Sequence, residues 1–289
     1  MFQLFTDTDT DITPSVAAEY GYKLISMPYV IDGKEIYPYV DFEEFDYHAY
    51  YDLLRGGMLP TTCALSPSQY EEYFEPVLKE GKDILYVHFS AAMTGTFQAM
   101  RIAWEGLSKR YPERKLCAID TKAITICSYN IVREIGELAK NGATMDEIKA
   151  WADREIGKFA VYFYADDLKF FGRSGRVSHF SANMGNLLGI RPIINMNEDG
   201  IMDSVAKAKG KKATLHKLAE YVRTLQEDIK KYRVIIGHSD ALDLAKELED
   251  ILKKEYGDDL NTEIVVVNPT AGAHCGPETV GVCFHAKHR

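Results

Sequence analysis

The chain has 289 residues, a formal net charge of −9, and apolar and charged fractions of 46% and 27%, the balance of a globular protein filling one large or two ordinary domains. The acidic excess argues against nucleic acid as a main partner, because phosphate binding needs a concentrated basic surface, and the one basic cluster, Lys207 to Lys212, reads as a solvated turn. No apolar run approaches the roughly 18–20 residues of a membrane span. The N-terminus carries no signal-peptide pattern, and Cys63, Cys117, Cys127, Cys275 and Cys283 share no C-x-x-C spacing. A cytoplasmic protein is expected, without stable membrane insertion, disulfide framework or zinc site.

In chain order, a strand is predicted over residues 2–6, then a helix over 14–20 opened by a proline in its first turn. A strand over 24–31 and a helix over 43–54, with aromatics three to four apart, come next. Ser66-Pro67-Ser68 starts another helix, followed by a strand over 84–89, a helix over 94–111, a strand over 116–119 and helices over 124–140 and 144–156. Such alternation predicts a parallel sheet flanked by helices. The second half opens with a strand over 159–164, a turn over 172–178 and an apolar helix over 180–188. Asp199-Gly200 between extended segments 191–196 and 202–206 signals a hairpin, an antiparallel element that the first half lacks. A helix over 214–231, a strand over 233–237, a helix over 241–254 and strands over 263–267 and 280–285 complete the chain. The expected class is α/β in two domains, a parallel-sheet domain over 1–157 and an α/β domain with a mixed or antiparallel sheet over 158–289.

In open α/β sheets ligands gather at the carboxyl ends of strands, and three hydroxyl-rich loops sit after or between strands here, 6–10, 61–66 and 90–96. The last belongs to the stretch His88-Phe89-Ser90-Ala91-Ala92-Met93-Thr94-Gly95-Thr96-Phe97-Gln98. A strand that ends in hydroxyls and glycine and then turns into a helix presents N–H and O–H donors together, as a carboxylate or phosphate requires. The loop lacks the Gly-Lys-Ser/Thr ending of a nucleotide-phosphate loop, and no G-x-S-x-G elbow is present. An ordinary helix N-cap explains one such loop alone. Its weight comes from its company: Thr61-Thr62, Arg173 and His274. His274 sits among Gly272, Gly276 and Pro277 between two late strands, where a ring can approach a ligand closely. His238, beside Ser239 and Asp240, reads as part of a helix cap. Arg173 and Arg176 flank Ser174-Gly175, one suited to an anion and the other to tying down the turn.

The run Asp7-Thr8-Asp9-Thr10-Asp11 is a poor calcium loop, with Ile12 and Ala18 where glycine and glutamate are needed. It resembles the first motif of haloacid-dehalogenase-like phosphatases. That resemblance implies an alternative function, a Mg²⁺-dependent phosphatase with Asp7 as nucleophile and Asp9 as acid/base. Asp11 stands where that pattern has Thr or Val, and the plain reading is a polar turn with capping carboxylates.

Taken together, the blocks resemble the DegV family of bacterial fatty-acid-binding proteins. The matching pieces are residues 6–12, Pro60-Thr61-Thr62-Cys63, Ser66-Pro67, Ser90 through Gln98, Ala165-Asp166-Asp167-Leu168, residues 172–178, residues 187–193 and His274-Cys275-Gly276-Pro277. They run in order along nearly the whole chain. The resemblance implies a two-domain α/β protein that holds one long-chain fatty acid, with no further cofactor. The carboxylate would lie near the domain junction and the tail in an apolar tunnel of the second domain. It also implies a separate fatty acid kinase as partner, which converts the presented acid to acyl-phosphate for phospholipid synthesis. By the same resemblance Thr62, with Thr61 beside it, and Thr94-Gly95 bind the carboxylate. Ser90 and Thr96 shape the loop, and Arg173 and His274 lie near the head group. The chain departs from the family pattern at Cys63, Ala91 and Glu278, the last placing a carboxylate near the expected head group.

Overall fold

The computed structural model describes residues 1–178 and 189–289. β1 (Phe2–Asp7) leads through a 3-10 turn (Thr8–Thr10) into α1 (Pro14–Tyr20) and β2 (Tyr22–Ile25). β3 (Tyr29–Ile31) and β4 (Lys34–Ile36) precede α2 (Tyr47–Arg55) and β5 (Thr61–Thr62). Next come α3 (Pro67–Lys79), β6 (Asp83–His88), α4 (Thr96–Arg110), β7 (Leu116–Asp120), α5 (Thr125–Lys140) and α6 (Met145–Glu155). The second half contains β8 (Phe159–Tyr164), α7 (Leu168–Ser174), β9 (Val177–Ser178), β10 (Ile190–Met196) and β11 (Met202–Lys209). It ends with α8 (Lys211–Leu225), β12 (Val234–His238), α9 (Leu242–Tyr256), β13 (Thr262–Val266), α10 (Pro269–Cys275) and β14 (Val280–His285).

Among the described residues the strands form three sheets. The first is parallel throughout, in the order β2-β1-β6-β7. The second has the order β13-β12-β14-β8-β10-β11-β9 and is mixed, with β8, β14 and β12 successively antiparallel. The Asp199-Gly200 signal joins β10 to β11 as an antiparallel hairpin. The α/β class with one parallel and one mixed sheet is therefore observed. A small third sheet, β4-β3-β5, was not anticipated.

Side-chain alternation explains how the layers pack. Along β8, Phe159, Val161 and Phe163 join one core, and Ala160, Tyr162 and Tyr164 join another under α8 and α9. Phe5, Phe74, Tyr86 and Phe97 fill the space between the parallel sheet and α3 and α4. α5 is apolar on several faces, burying Ile126, Tyr129, Ile131, Val132 and Ile135, as a helix enclosed by other elements must. It lies between the two large sheets, so the core containing Leu85, Ile131, Val161 and Ile235 is continuous across them.

Local signals account for most boundaries. Thr13 caps α1, Pro14 opens it and Gly21 closes it in the left-handed conformation. Ser66 with Gln69 and Thr144 with Glu147 form capping boxes on α3 and α6. Other expectations need correction. The strand expected over 24–31 is two strands in different sheets, broken at Ser26-Met27-Pro28. α2 starts at Tyr47 because Asp46 accepts from the Ala49 N–H, and the helix expected over 214–231 runs only over Lys211–Leu225. The turn expected over 172–178 begins inside α7, which Asp167 caps and Gly175 ends at φ 65°. His274 lies in the last turn of α10, not in a loop. The helix expected over 180–188 falls outside the described residues.

Candidate functional site

The site forms where the exits of β1 and β6 meet α10 and the small sheet. Each of the first motif's aspartates has a separate task. Asp7 is buried and both its oxygens are engaged: Oδ1 accepts from Asp9 N at 3.1 Å, and Oδ2 from the Tyr86 hydroxyl at 3.0 Å and Phe89 N at 3.4 Å. Asp11 Oδ1 accepts from Asn268 N at 2.9 Å and Nδ2 at 2.7 Å, fixing the start of α10. Asn268 in turn caps α10 by accepting from Ala271 N. Asp9 faces a cavity between the two large sheets.

That cavity encloses about 1010 Å³ of atom-free space, part of it continuous with solvent. Its polar end carries Thr62, Thr94, Thr96, His274, Asp9 and Thr270. Thr62 is held on β5 opposite Tyr29, and its Oγ1 lies 3.1 Å from His274 Nε2. Thr94 follows the short turn Ala91–Met93, with its Oγ1 accepting from Thr96 N at 3.2 Å. The Thr96 hydroxyl is already engaged by Leu65 N at 3.1 Å and Tyr70 Oη at 3.0 Å, so it braces the loop. The deep end is apolar, with Ile126 from α5, Val161 and Phe163 from β8, Phe171 from α7, and Val267. Gly237 and Gly281 are direct cross-strand partners on β12 and β14, and both line the cavity. A Cβ at Gly237 would meet Ile126 Cγ2 at 2.5 Å, so that glycine lets α5 lie close to the sheet, and one at Gly281 would meet Phe163 Cβ of the neighbouring strand at 2.7 Å.

The titratable side chains at the polar end are pushed toward their neutral forms, beside the Arg176 guanidinium in the same wall. Burial, reinforced by the charges of Arg176 and Arg173, pulls His274 down from 6.5 to about 4, so its ring is neutral near pH 7. Burial pushes Asp9 up from 3.8 to about 7 against the opposing effect of the Thr270 hydroxyl. Asp11 rises to about 8 for the same first reason, its bonds to Asn268 opposing.

Of the residues singled out in the sequence, Thr62, Thr94, Thr96 and His274 share the cavity wall. Thr61 is exposed on β5, next to Thr62 but outside the wall. The Ser90 hydroxyl donates to the Gly200 carbonyl at 2.8 Å, joining the β6 loop to the β10–β11 hairpin. Gly95 sits at the N-cap of α4, outside the wall. Arg173 donates to the carbonyls of Leu59, at 2.9 Å, and Pro60, clipping the segment that carries Thr62. Arg176 is the arginine in the described wall, and its guanidinium donates to the Ser174 carbonyl. Glu278 pairs with Lys211 and does not line the cavity; the carboxyl at the polar end is Asp9 instead. Sequence reasoning missed Asp9 as a wall residue and the Gly237–Gly281 pair.

The phosphatase reading finds no support in this geometry. Asp7 is buried with both oxygens bonded, and burial raises its pKa well above the carboxylate range, the opposite of a poised nucleophile. Asp166, just past the end of β8, is paired with Arg191 at 2.6 Å.

The fold and cavity define an α/β protein built on two large sheets, with a mostly apolar internal site, and comparison with known proteins places it. The profile of the DegV family, described as an uncharacterised protein family, matches residues 1–287, and the chain belongs to that family. A DegV domain-containing protein of Clostridium perfringens is 31% identical over 285 residues, covering 98% of this chain and 97% of that one. The fatty acid binding DegV family protein of Streptococcus agalactiae is 28% identical with a TM-score of 0.85, covering 100% of this chain and 99% of that one. A stearic acid-binding protein from Eubacterium ventriosum shares the fold at 17% identity, with a TM-score of 0.87 and 99% coverage of both chains.

Proposed function

We propose that the protein binds one long-chain fatty acid, with its carboxylate at Thr62, Thr94 and His274 and its tail among Ile126, Val161, Phe163, Phe171 and Val267. The observation that carries this reading is one cavity whose wall combines hydroxyls grouped with a neutral imidazole and apolar residues grouped around Ile126 and Phe163. The fatty acids named for its structural relatives supply the ligand class. Burying an acyl chain contributes about 0.8 kcal/mol per methylene, so roughly 15 methylenes offer on the order of 12 kcal/mol before ordering costs. Neutral donors then suffice to orient the head group, avoiding the desolvation of a fixed ion pair.

The finer part of the proposal is that the protein is non-catalytic and presents the carboxylate to a separate fatty acid kinase for acyl-phosphate formation. A head group held by neutral donors keeps an oxygen available as nucleophile, while the kinase supplies ATP, Mg²⁺ and charge stabilisation. We place the protein in the cytoplasm, in keeping with the absence, among the described residues, of a helix long and apolar enough to cross a membrane. We divide it at 157/158 into a head-group domain and a tail domain. The test is reconstitution with a fatty acid kinase, ATP and Mg²⁺. Acyl-phosphate that forms only when this protein carries the acid supports presentation. A kinase that works equally well without it, or ignores the loaded protein, overturns presentation and leaves binding to be judged separately.

A further inference from the structure

Asp9 is a carboxyl in a cavity wall where an anionic head group is expected, an arrangement that is repulsive if both groups are ionised. Its placement is specific. Asp7 and Asp11, its neighbours in the motif, are committed to Tyr86, Phe89 and Asn268, whereas Asp9 Oδ1 is buried with no hydrogen-bond partner among the described residues. The residue as a whole is half-buried and lines the cavity. The nearby Thr270 hydroxyl donates to the Met27 carbonyl at 3.1 Å and also lies close enough to Asp9 to oppose the effect of its burial. Thr270 is one helical turn before His274 on α10, and His274 touches Thr62, so Asp9 and Thr62 flank one face of that helix.

Among the described residues no cation pairs with Asp9, although the Arg176 guanidinium lines the same cavity. Asp7 and Asp11 lie on its own turn and are themselves pushed toward their neutral forms by burial; Tyr86 from β6 and Tyr70 from α3 are neutral phenols raised by burial. On α10, His274 is held neutral and the Cys275 thiol is pushed up to about 12. Cys63 is pushed up to about 11, and the Arg176 guanidinium donates to the Ser174 carbonyl. Two carboxylates facing each other across such a space do not both ionise; they share one proton in a charge-assisted hydrogen bond.

We propose that Asp9 is a head-group residue whose protonated carboxyl donates a hydrogen bond to the carboxylate of the bound acid. This rests on the fatty-acid reading above and deepens it, by making a proton rather than a fixed cation the partner of the ligand's charge. The balance is simple: an ionised Asp9 takes one proton from solvent when the anion binds, and returns it on release. Because its free-state titration falls near neutrality, affinity weakens as pH rises through that range.

The test is calorimetric titration of palmitate into the full, delipidated protein between pH 6 and pH 9, in buffers of different ionisation heat, alongside Asp9→Asn and with hexadecanol as a neutral-headed probe. The expected result is uptake of about one proton above neutrality, with palmitate affinity falling up to tenfold per pH unit in the wild type. Asp9→Asn, which retains an N–H donor, flattens that profile, and hexadecanol binding takes up no proton. Equal pH profiles in the two proteins, or palmitate binding without proton uptake, overturn the Asp9 assignment while leaving fatty-acid binding intact. A wild type that binds neither palmitate nor acids of other lengths overturns both readings together. Should Asp9→Asn fail to fold, proton uptake by the wild type alone decides the matter.

Discussion

The polar end of the cavity is assembled from separated pieces of chain: Thr62 from a two-residue strand, Thr94 from the β6–α4 loop, His274 from the end of a short helix and Asp9 from the turn after β1. The apolar end comes from adjacent strands of one sheet and the first turn of α5, in ordinary core residues such as Val161 and Phe163 and two glycines. The difference separates energy from orientation. Apolar burial is non-directional and additive with tail length, so the sheet end sets how tightly an acid binds and how long it is. Individual hydrogen bonds each contribute little net energy but fix geometry, so the loop end sets which way the acid points.

Substitutions at the two ends break or sharpen that contrast. The largest effect is expected from Val161→Phe, which fills the apolar end. Excluding about four methylenes removes roughly 3 kcal/mol, a loss on the order of a hundredfold for long acids, with shorter acids retained. Titration with acids of graded length checks it, and a uniform loss at every length would erase the distinction between the ends. Thr62→Ala with Thr94→Ala removes two neutral hydrogen bonds, about 2 kcal/mol or roughly 30-fold in affinity, with the length preference unchanged. Arg173→Ala acts more weakly, by about 1 kcal/mol, because the guanidinium positions the Leu59-Pro60 segment and is largely exposed. Its signature is a modest affinity loss that Thr62→Ala, once introduced, no longer allows.

The polar end also leaves a mark on stability. The folded-state pKa of His274 is depressed from 6.5 to about 4, so its contribution is fully present above 6.5 and is lost as pH falls through about 4. Asp11, raised from 3.8 to about 8, has the opposite sign: its contribution is present below 3.8 and lost as pH rises through about 8. Thermal unfolding of wild type and His274→Gln between pH 7 and pH 4 isolates the first effect. The wild type is expected to lose more stability over that window than the variant, and parallel curves would place the imidazole outside the buried site.

The same contrast governs how far the sequence could be read. The loop end was legible because turn chemistry is local: hydroxyls and glycine after an apolar strand mark Thr94, and Thr62 and His274 stand in similarly distinctive company. Signals for α10 and α7 were also present, in Asn268-Pro269 and in Asp167 with Gly175, but the neighbouring glycines read as loops. The hydrogen-bond partners of Ser90 and Arg173 were not legible for another reason. Their partners, Gly200 and the Leu59-Pro60 carbonyls, are distant in sequence, and no local pattern announces such a contact. The Gly237–Gly281 pair is equally silent, since each glycine is ordinary in its own strand until their register is known.

The most direct measurement of the central claim is mass spectrometry of the purified protein, first native and then after organic extraction. The account predicts a mass excess matching one bound fatty acid, released on denaturation and identified in the extract. A protein that carries no acid and takes up none when long-chain acids are added would contradict it.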